Sequence, residues 1–252
     1  MEIKGKKAVV VGGASGFGRA TAEALAARGA QVAVLDRPGS AGQQVADDLD
    51  GSFHPVDVTD HVATEAALAA AVEALGALHV AVNTAGGGAA KRTLGKDGPH
   101  DLETFQRVMD LNLVATFNLS RLQAAHMARN EPEDDERGVI INTSSIAAFE
   151  GQIGQVAYTA SKAGIAGMAL TMARDLGSLG IRVLAIAPSL FATGITAGIP
   201  DEMAAALTRD AAFPKRMGRP DEYAKLALAV VDNAMLNGQC LRLDAGQRFA
   251  PR

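Results

Sequence analysis

The stretch KKAVVVGGASGFGRATAEALAARGAQVAVLD, near the start of the chain, leaves few folds open. An apolar, β-branched run from Lys6 to Val11 stops at paired glycines; an alanine-rich helical pattern follows, and a second apolar run ends at Asp36. Strand, glycine turn, helix and strand in that order make a β-α-β unit, the building block of parallel sheets. Gly12 suits the tight turn, Gly16 lets backbone approach a phosphate, and Gly18 permits close helix packing, with the helix N-terminus facing the anion. The spacing is G-x-x-x-G-x-G, and by itself a glycine-rich turn fits a nucleotide site or an ordinary tight turn equally well. Asp36 supplies context. It lies 24 residues after Gly12, at a strand end where a carboxylate accepts hydrogen bonds from an adenosine ribose diol and repels a 2′-phosphate. The residues therefore point to NAD over NADP, with the neighbouring Arg37 softening that choice.

The alternation continues. SFHPVDVTD reads as a third strand with Asp57 at its carboxyl end, a helix is expected from about His61 to Leu75, and LHVAVN is a strand ending at Asn83. GVIINTSS and IRVLAIAP are further strands, the second ended by Pro188, and a helix from Pro220 leads to the strand QCLRLD. Strands alternating with helices in this way predict an α/β protein: one Rossmann domain over residues 1–252, with a doubly wound seven-stranded parallel sheet and helices on both faces. A chain of 252 residues, 48% of them hydrophobic, is ample for one such core and short for two. Ligands of these sheets gather at the carboxyl ends of the strands, where Gly12, Asp36, Asp57 and Asn83 all fall.

Two later segments carry chemistry. Tyr158 and Lys162, four residues apart on an expected helix running to about Leu179, share a face, so an ammonium there favours a deprotonated phenol. Ser145, at the end of the preceding strand, is placed to hold the oxygen with which the tyrosine exchanges a proton. Alone, the pair proves little, and a partly exposed tyrosine beside a solvated lysine is the default reading. Asn112 sits in the middle of a helical pattern from Asp101 to Arg129; it is either merely exposed or kinks the helix and presents a carbonyl to water in a site. The stretch NTAGGG, from Asn83, offers either a bare wall for a flat ring or a flexible loop. RNEPEDDERG reads as a solvated acidic loop. Residues 189–220 lack regular alternation and carry Leu190, Phe191, Ile195, Ile199, Met203, Leu207 and Phe213, which together predict a part-helical apolar lid.

Several classes are set aside. A net charge of −4 gives no electrostatic footprint for nucleic acid, and no apolar run reaches the length of a membrane span. The chain enters a strand within a few residues, which leaves no room for a signal peptide, and its single cysteine, Cys240, fits a reducing cytoplasm. The five histidines show no metal-ligand spacing, so no metal is expected.

Taken together, Gly12, Gly16 and Gly18, Asp57, the N-x-A-G stretch Asn83 to Gly86, Asn112, Ser145, Tyr158, Lys162, and Pro188 with Thr193 resemble the short-chain dehydrogenase/reductase family over essentially the whole chain. The segments ETFQRVMDLNLVATFN, RNEPEDDERGVIINTSSIAAFEGQIGQVAYTASKAG and IAPSLFATGI look like its type II 3-hydroxyacyl-CoA dehydrogenases, also known as type 10 17β-hydroxysteroid dehydrogenases. The resemblance implies that Tyr158 is the acid/base, that Lys162 lowers its pKa and bonds the nicotinamide ribose, that Ser145 orients the substrate oxygen, and that Asn112 holds a water in a proton relay. It implies that Ser15, Phe17, Asp36, Asp57, Val58, Thr84, Phe191 and Thr193 line NAD together with Gly12, Gly16, Gly18, Asn83, Ala85, Gly86, Pro188, Tyr158 and Lys162. It further implies that Gln155 faces a small-molecule substrate and that the enzyme is a homotetramer. The implied reaction, in fatty acid metabolism, is NAD-dependent interconversion of (S)-3-hydroxyacyl-CoA and 3-oxoacyl-CoA. Lys91, Arg92 and Lys96 either meet the CoA phosphates or are solvated. A dehydrogenase of another secondary alcohol, such as a hydroxysteroid or a polyol, is the alternative, followed by a catalytically silent NAD-binding subunit; an acyl-carrier-protein reductase is disfavoured by Asp36. Two positions depart from the family pattern: Val11 stands in place of a threonine that ties down the glycine turn, and Ser189 in place of a glycine.

Overall fold

The computed structural model describes residues 1–251, without the side chains of Ile195 and Ala197. Among the described residues, β1 (Lys7–Val11), β2 (Gln31–Asp36), β3 (Ser52–Pro55), β4 (Val80–Asn83), β5 (Gly138–Thr143), β6 (Ile181–Pro188) and β7 (Cys240–Leu243) form one sheet. The spatial order is β3-β2-β1-β4-β5-β6-β7, every pair parallel, as expected for a doubly wound Rossmann sheet. The strands in the middle are apolar runs because both of their faces are covered. Alternate residues then serve opposite layers. Val9, Leu35, Ile140 and Val183 pack with Leu68 of α3 (His61–Leu75), Leu119 of α5 (Ala115–Met127) and Met172 of α6 (Val156–Leu176). Val10, Val34, Val82 and Ile141 pack with Leu25 of α1 (Gly16–Ala27), Val45 of α2 (Gly42–Asp48) and Val230 of α8 (Pro220–Asp232).

Local signals place several boundaries where the sequence puts them. The Asp60 carboxylate accepts the Ala63 N–H at 3.0 Å to start α3, and Gly76 ends it in the left-handed region at φ 79°. Other boundaries move. β3 stops at Pro55, leaving Asp57 beyond the strand, and β5 stops at Thr143, so both serines lie in the loop that follows. Helix α6 begins at Val156 and ends at Leu176, before a short 3-10 turn. The pattern from Asp101 to Arg129 is not one α-helix: α4 (Leu102–Met109) passes through a π-turn, Asp110–Val114, into α5. The acidic loop is not simply solvated either. Glu136, only 11% exposed, pairs with Arg182 at 2.7 Å, and the same guanidinium donates to the Val230 carbonyl in α8 and the Leu236 carbonyl in the segment after it. A charge carried that far from water is kept because it is matched on all sides. Glu133 of the same loop pairs with Lys6.

Residues 189–220 hold a 3-10 segment, Gly194–Gly198, and α7 (Asp201–Leu207), with Met203, Leu207 and Phe213 exposed. Among the described residues no helix is long and apolar enough to cross a membrane.

Candidate active site

The strand order reverses between β1 and β4, and the loops leaving these two strands part there to form a cleft of about 520 Å³. One of its walls is the glycine turn. Gly12 takes φ 77°, and a Cβ on Gly18 would come within 2.1 Å of the Gly12 carbonyl oxygen, so only glycine lets α1 sit this close to the turn. A Cβ on Gly16 would touch the Thr193 side chain at 3.3 Å, which brings the turn against the segment after Pro188. Ser15 stands at the N-cap of α1 without a side-chain cap, leaving the first-turn amides of that helix available to an anion in the cleft. That donor set, with the glycines, fits a dinucleotide pyrophosphate.

Asp36 is doubly held: Oδ2 accepts the Ala14 N–H at 2.9 Å and Oδ1 the Arg37 N–H at 2.7 Å. It lines the cleft at the end of β2 with lone pairs left for a ribose diol, and Arg37 lines it beside it. Asp57 also lines the cleft; the Thr59 N–H at 3.0 Å and hydroxyl at 2.7 Å hold its carboxyl below the usual range. The hydroxyl absent from Val11 is supplied from across the cleft. Thr84 Oγ1 donates to the Val11 carbonyl at 2.8 Å, and the Thr84 N–H does so at 2.9 Å.

The opposite wall is built of buried side chains. Lys162, 4% exposed, donates from Nζ to the Thr143 carbonyl at 2.8 Å and lies 5.7 Å from the centroid of the Tyr158 ring. Burial pulls its pKa down to about 8. Ser145 caps the short turn that follows, its Oγ accepting the Ala147 N–H at 3.1 Å. The Tyr158 phenol faces the cleft, and burial raises its pKa while the Ser145 hydroxyl opposes the rise. Burial outweighs the Ser145 hydroxyl, and the phenol stands above its ordinary value. Glycines face this group. A Cβ on Gly86 would meet Asn112 Oδ1 at 2.7 Å and one on Gly88 the Tyr158 ring at 3.1 Å, so the stretch after Asn83 is bare because Asn112 and Tyr158 pack on it.

Asn112 is fully buried, which removes the exposed alternative. Its amide donates to the Val108 carbonyl at 2.8 Å and the Gly87 carbonyl at 2.7 Å, while Oδ1 accepts the Gly87 N–H at 3.1 Å. The side chain competes for backbone partners, as an asparagine inside a helix does, and the helix opens into a π-turn there.

The structure brings Gly12, Ser15, Gly16, Phe17, Asp36, Asp57, Val58, Thr84, Ala85, Gly86, Ser145, Tyr158, Lys162, Pro188, Phe191 and Thr193 to one cleft. Four expected residues stand outside its lining. Gly18 packs on the turn from behind, and Asn112 serves the Gly87 backbone. Asn83 is spent on a buried amide cluster: Nδ2 donates to Gln123 Oε1 at 2.9 Å and Asn142 Oδ1 at 2.8 Å, and Oδ1 accepts from Gln123 Nε2 at 2.8 Å. Gln155, at the N-cap of α6, turns to the Gln152 N–H at 3.1 Å. Lys91 pairs with Asp101, while Arg92 and Lys96 are exposed and outside the cleft lining. Thr143 and Tyr223 went unmarked in the sequence. The only local hint was a hydroxyl at a strand end in one case and a lone aromatic on a helix of small apolar residues in the other.

Backbone shaped to fit phosphate on one wall and titratable side chains on the other match the division of labour of Rossmann-fold oxidoreductases. The sequence profile described as short chain dehydrogenase matches residues 6–204. Over 254 aligned residues the chain is 50% identical to the 3-hydroxyacyl-CoA dehydrogenase type-2 of Bos taurus, covering 99% of this chain and 97% of that protein. It is 49% identical to the protein of the same name from Homo sapiens, with the same coverage. The crystal structure of a 3-hydroxyacyl-CoA dehydrogenase type-2 from Mycobacterium avium superposes with a TM-score of 0.94 at 42% identity, covering 100% of both chains. The chain belongs to the short-chain dehydrogenase family. It is an oxidoreductase, and the family and fold imply a nicotinamide cofactor.

Proposed function

We propose that this enzyme interconverts (S)-3-hydroxyacyl-CoA and 3-oxoacyl-CoA with NAD. The observation that carries the reading is the meeting of Ser145, Tyr158 and Lys162 in the same cleft as the glycine turn and Asp36. The name shared by relatives about half identical to it supports the substrate class. Bound along the turn, a nicotinamide dinucleotide supplies the hydride acceptor. Ser145 donates a hydrogen bond to the substrate oxygen, and Tyr158 takes the hydroxyl proton on oxidation and returns it on reduction. Lys162 remains largely cationic at neutral pH, since its pKa is about 8, and it offers the phenolate a counter-charge once substrate and cofactor have displaced water. Asp36 favours a free ribose diol over a 2′-phosphate. The exposed apolar residues of 189–220 serve as a lid over the acyl chain, and the enzyme works in the cytoplasm as a homotetramer.

The test is the rate of reduced-cofactor formation with acyl-CoA, steroid and polyol alcohols, each with NAD and NADP. The expected result is a preference for the 3-hydroxyacyl-CoA and for NAD. A higher kcat/KM for a steroid or polyol would overturn the substrate assignment. Binding of NAD with no turnover of any alcohol would favour a silent subunit.

A further inference from the structure

Tyr223, on α8, is fully buried, and no step above uses it. Its phenol oxygen lies 2.7 Å from Thr143 Oγ1, which lies 2.7 Å from the Asn83 carbonyl oxygen. A carbonyl can only accept, so the single threonine hydrogen goes to Asn83, and Tyr223 must be the donor to Thr143. The carbonyl of that same threonine is the acceptor for Lys162 Nζ. The Tyr223 ring, meanwhile, stacks on Phe17 with centroids 4.4 Å apart, and Phe17 stands edge-on to Phe191 at 5.1 Å. Phe17, Phe191 and Thr143 all line the cleft. One side chain, approaching from the layer of α1 and α8, therefore touches both walls: its ring lies behind the glycine turn and its hydroxyl behind the strand end that holds the lysine. Plain core packing accounts for the ring but does not require that hydroxyl.

We propose that Tyr223 is a positioning residue that fixes the Thr143 carbonyl, and through it the Lys162 ammonium, relative to the cofactor turn. The inference rests on the reading above in which Lys162 supports Tyr158. Removing the hydroxyl loosens the Thr143 carbonyl that accepts from the lysine cation, while removing the ring as well frees Phe17.

The test separates the two contacts. Tyr223→Phe keeps the stack and loses the hydrogen bond: the Lys162 Nζ titration, followed by 15N NMR in the ligand-free protein, should move down by about half a unit or more. In parallel, kcat at neutral pH should fall about three- to tenfold, the worth of one hydrogen bond, with KM for NAD unchanged. Tyr223→Leu should in addition weaken NAD binding measured without substrate. Should either Tyr223 variant fail to fold, Thr143→Val must reproduce the lysine shift without touching the stack, and Thr143→Ser must restore it. A Tyr223→Phe enzyme with a lower Tm but an unmoved lysine titration and kcat pH profile would reduce the residue to packing and overturn the inference. Absence of NAD-dependent turnover in the wild type would instead sink the functional reading.

Discussion

The two walls of the cleft are made of different material. The wall from β1, α1 and β2 offers backbone, with Asp36 pinned by two amides, and its demands are steric: at Gly18 a single methyl would collide with the Gly12 carbonyl. The wall from β5 and α6 offers side chains, and its demands are electrostatic: a buried lysine with its pKa drawn down to about 8, and a phenol with its pKa pushed up. A binding wall can be built from groups the fold already satisfies. The second wall holds a lysine whose charged form burial disfavours, so keeping that charge costs stability, whereas the raised phenol keeps the neutral form that burial favours.

The comparison breaks most visibly at Tyr158. Tyr158→Phe should lower turnover by about a hundredfold or more while leaving dinucleotide affinity and Tm near wild type; a comparable loss of dinucleotide binding would mean that the walls do not divide the labour. Next comes Gly18→Ala, which should cost about 3 kcal/mol in denaturant unfolding and weaken dinucleotide binding, since backbone must shift to admit the Cβ. Retention of both would show that the turn is softer than its geometry.

Lys162→Met runs the opposite way. The folded pKa of about 8 lies below the ordinary 10.5, so the unfolded chain binds more protons between those values, and wild-type stability should rise with pH across that window. The methionine variant should lose that rise, gain roughly 2–3 kcal/mol at neutral pH and lose activity. If its unfolding curves match wild type from pH 7 to 10, the Thr143 carbonyl already offsets the burial. The smallest effect is expected at Asp36→Asn, where loss of a charge should shrink the kcat/KM preference for NAD over NADP by about tenfold. An unchanged preference would transfer the selectivity to another group.

What could be read in the sequence follows the same division. The glycine turn, Asp36 and the bounds of α3 are written locally, in residues whose partners lie within a turn or at the end of the next strand. Ser145, Tyr158 and Lys162 were legible as types and spacing, and they meet in the cleft. Polar groups whose partners are remote are harder to place. Nothing local in the sequence says that Gln123 and Asn142 take the Asn83 amide, and Glu136 looks solvated until Arg182 arrives from β6. Tyr223 shows only as a lone aromatic on its helix, because its partners come from the first turn of α1 and the end of β5. A pattern of periods and spacings records which face a residue is on, not which neighbour reaches it there.

The π-turn at Asp110–Val114 has a consequence of a different kind. It is, in effect, a helix with one residue too many, held open by the Asn112 side chain. The wide turn absorbs that residue, so α4 and α5 keep the phase of one continuous helix, and Val108 on one side and Leu119 and Leu122 on the other all face the core. Deleting exposed Val114 would let the ladder close as an ordinary α-helix with those faces in place, and what it would take away is the reach of Asn112 to the Gly87 backbone. The extra residue thus serves one buried amide, while the packing of the two helices does not require it.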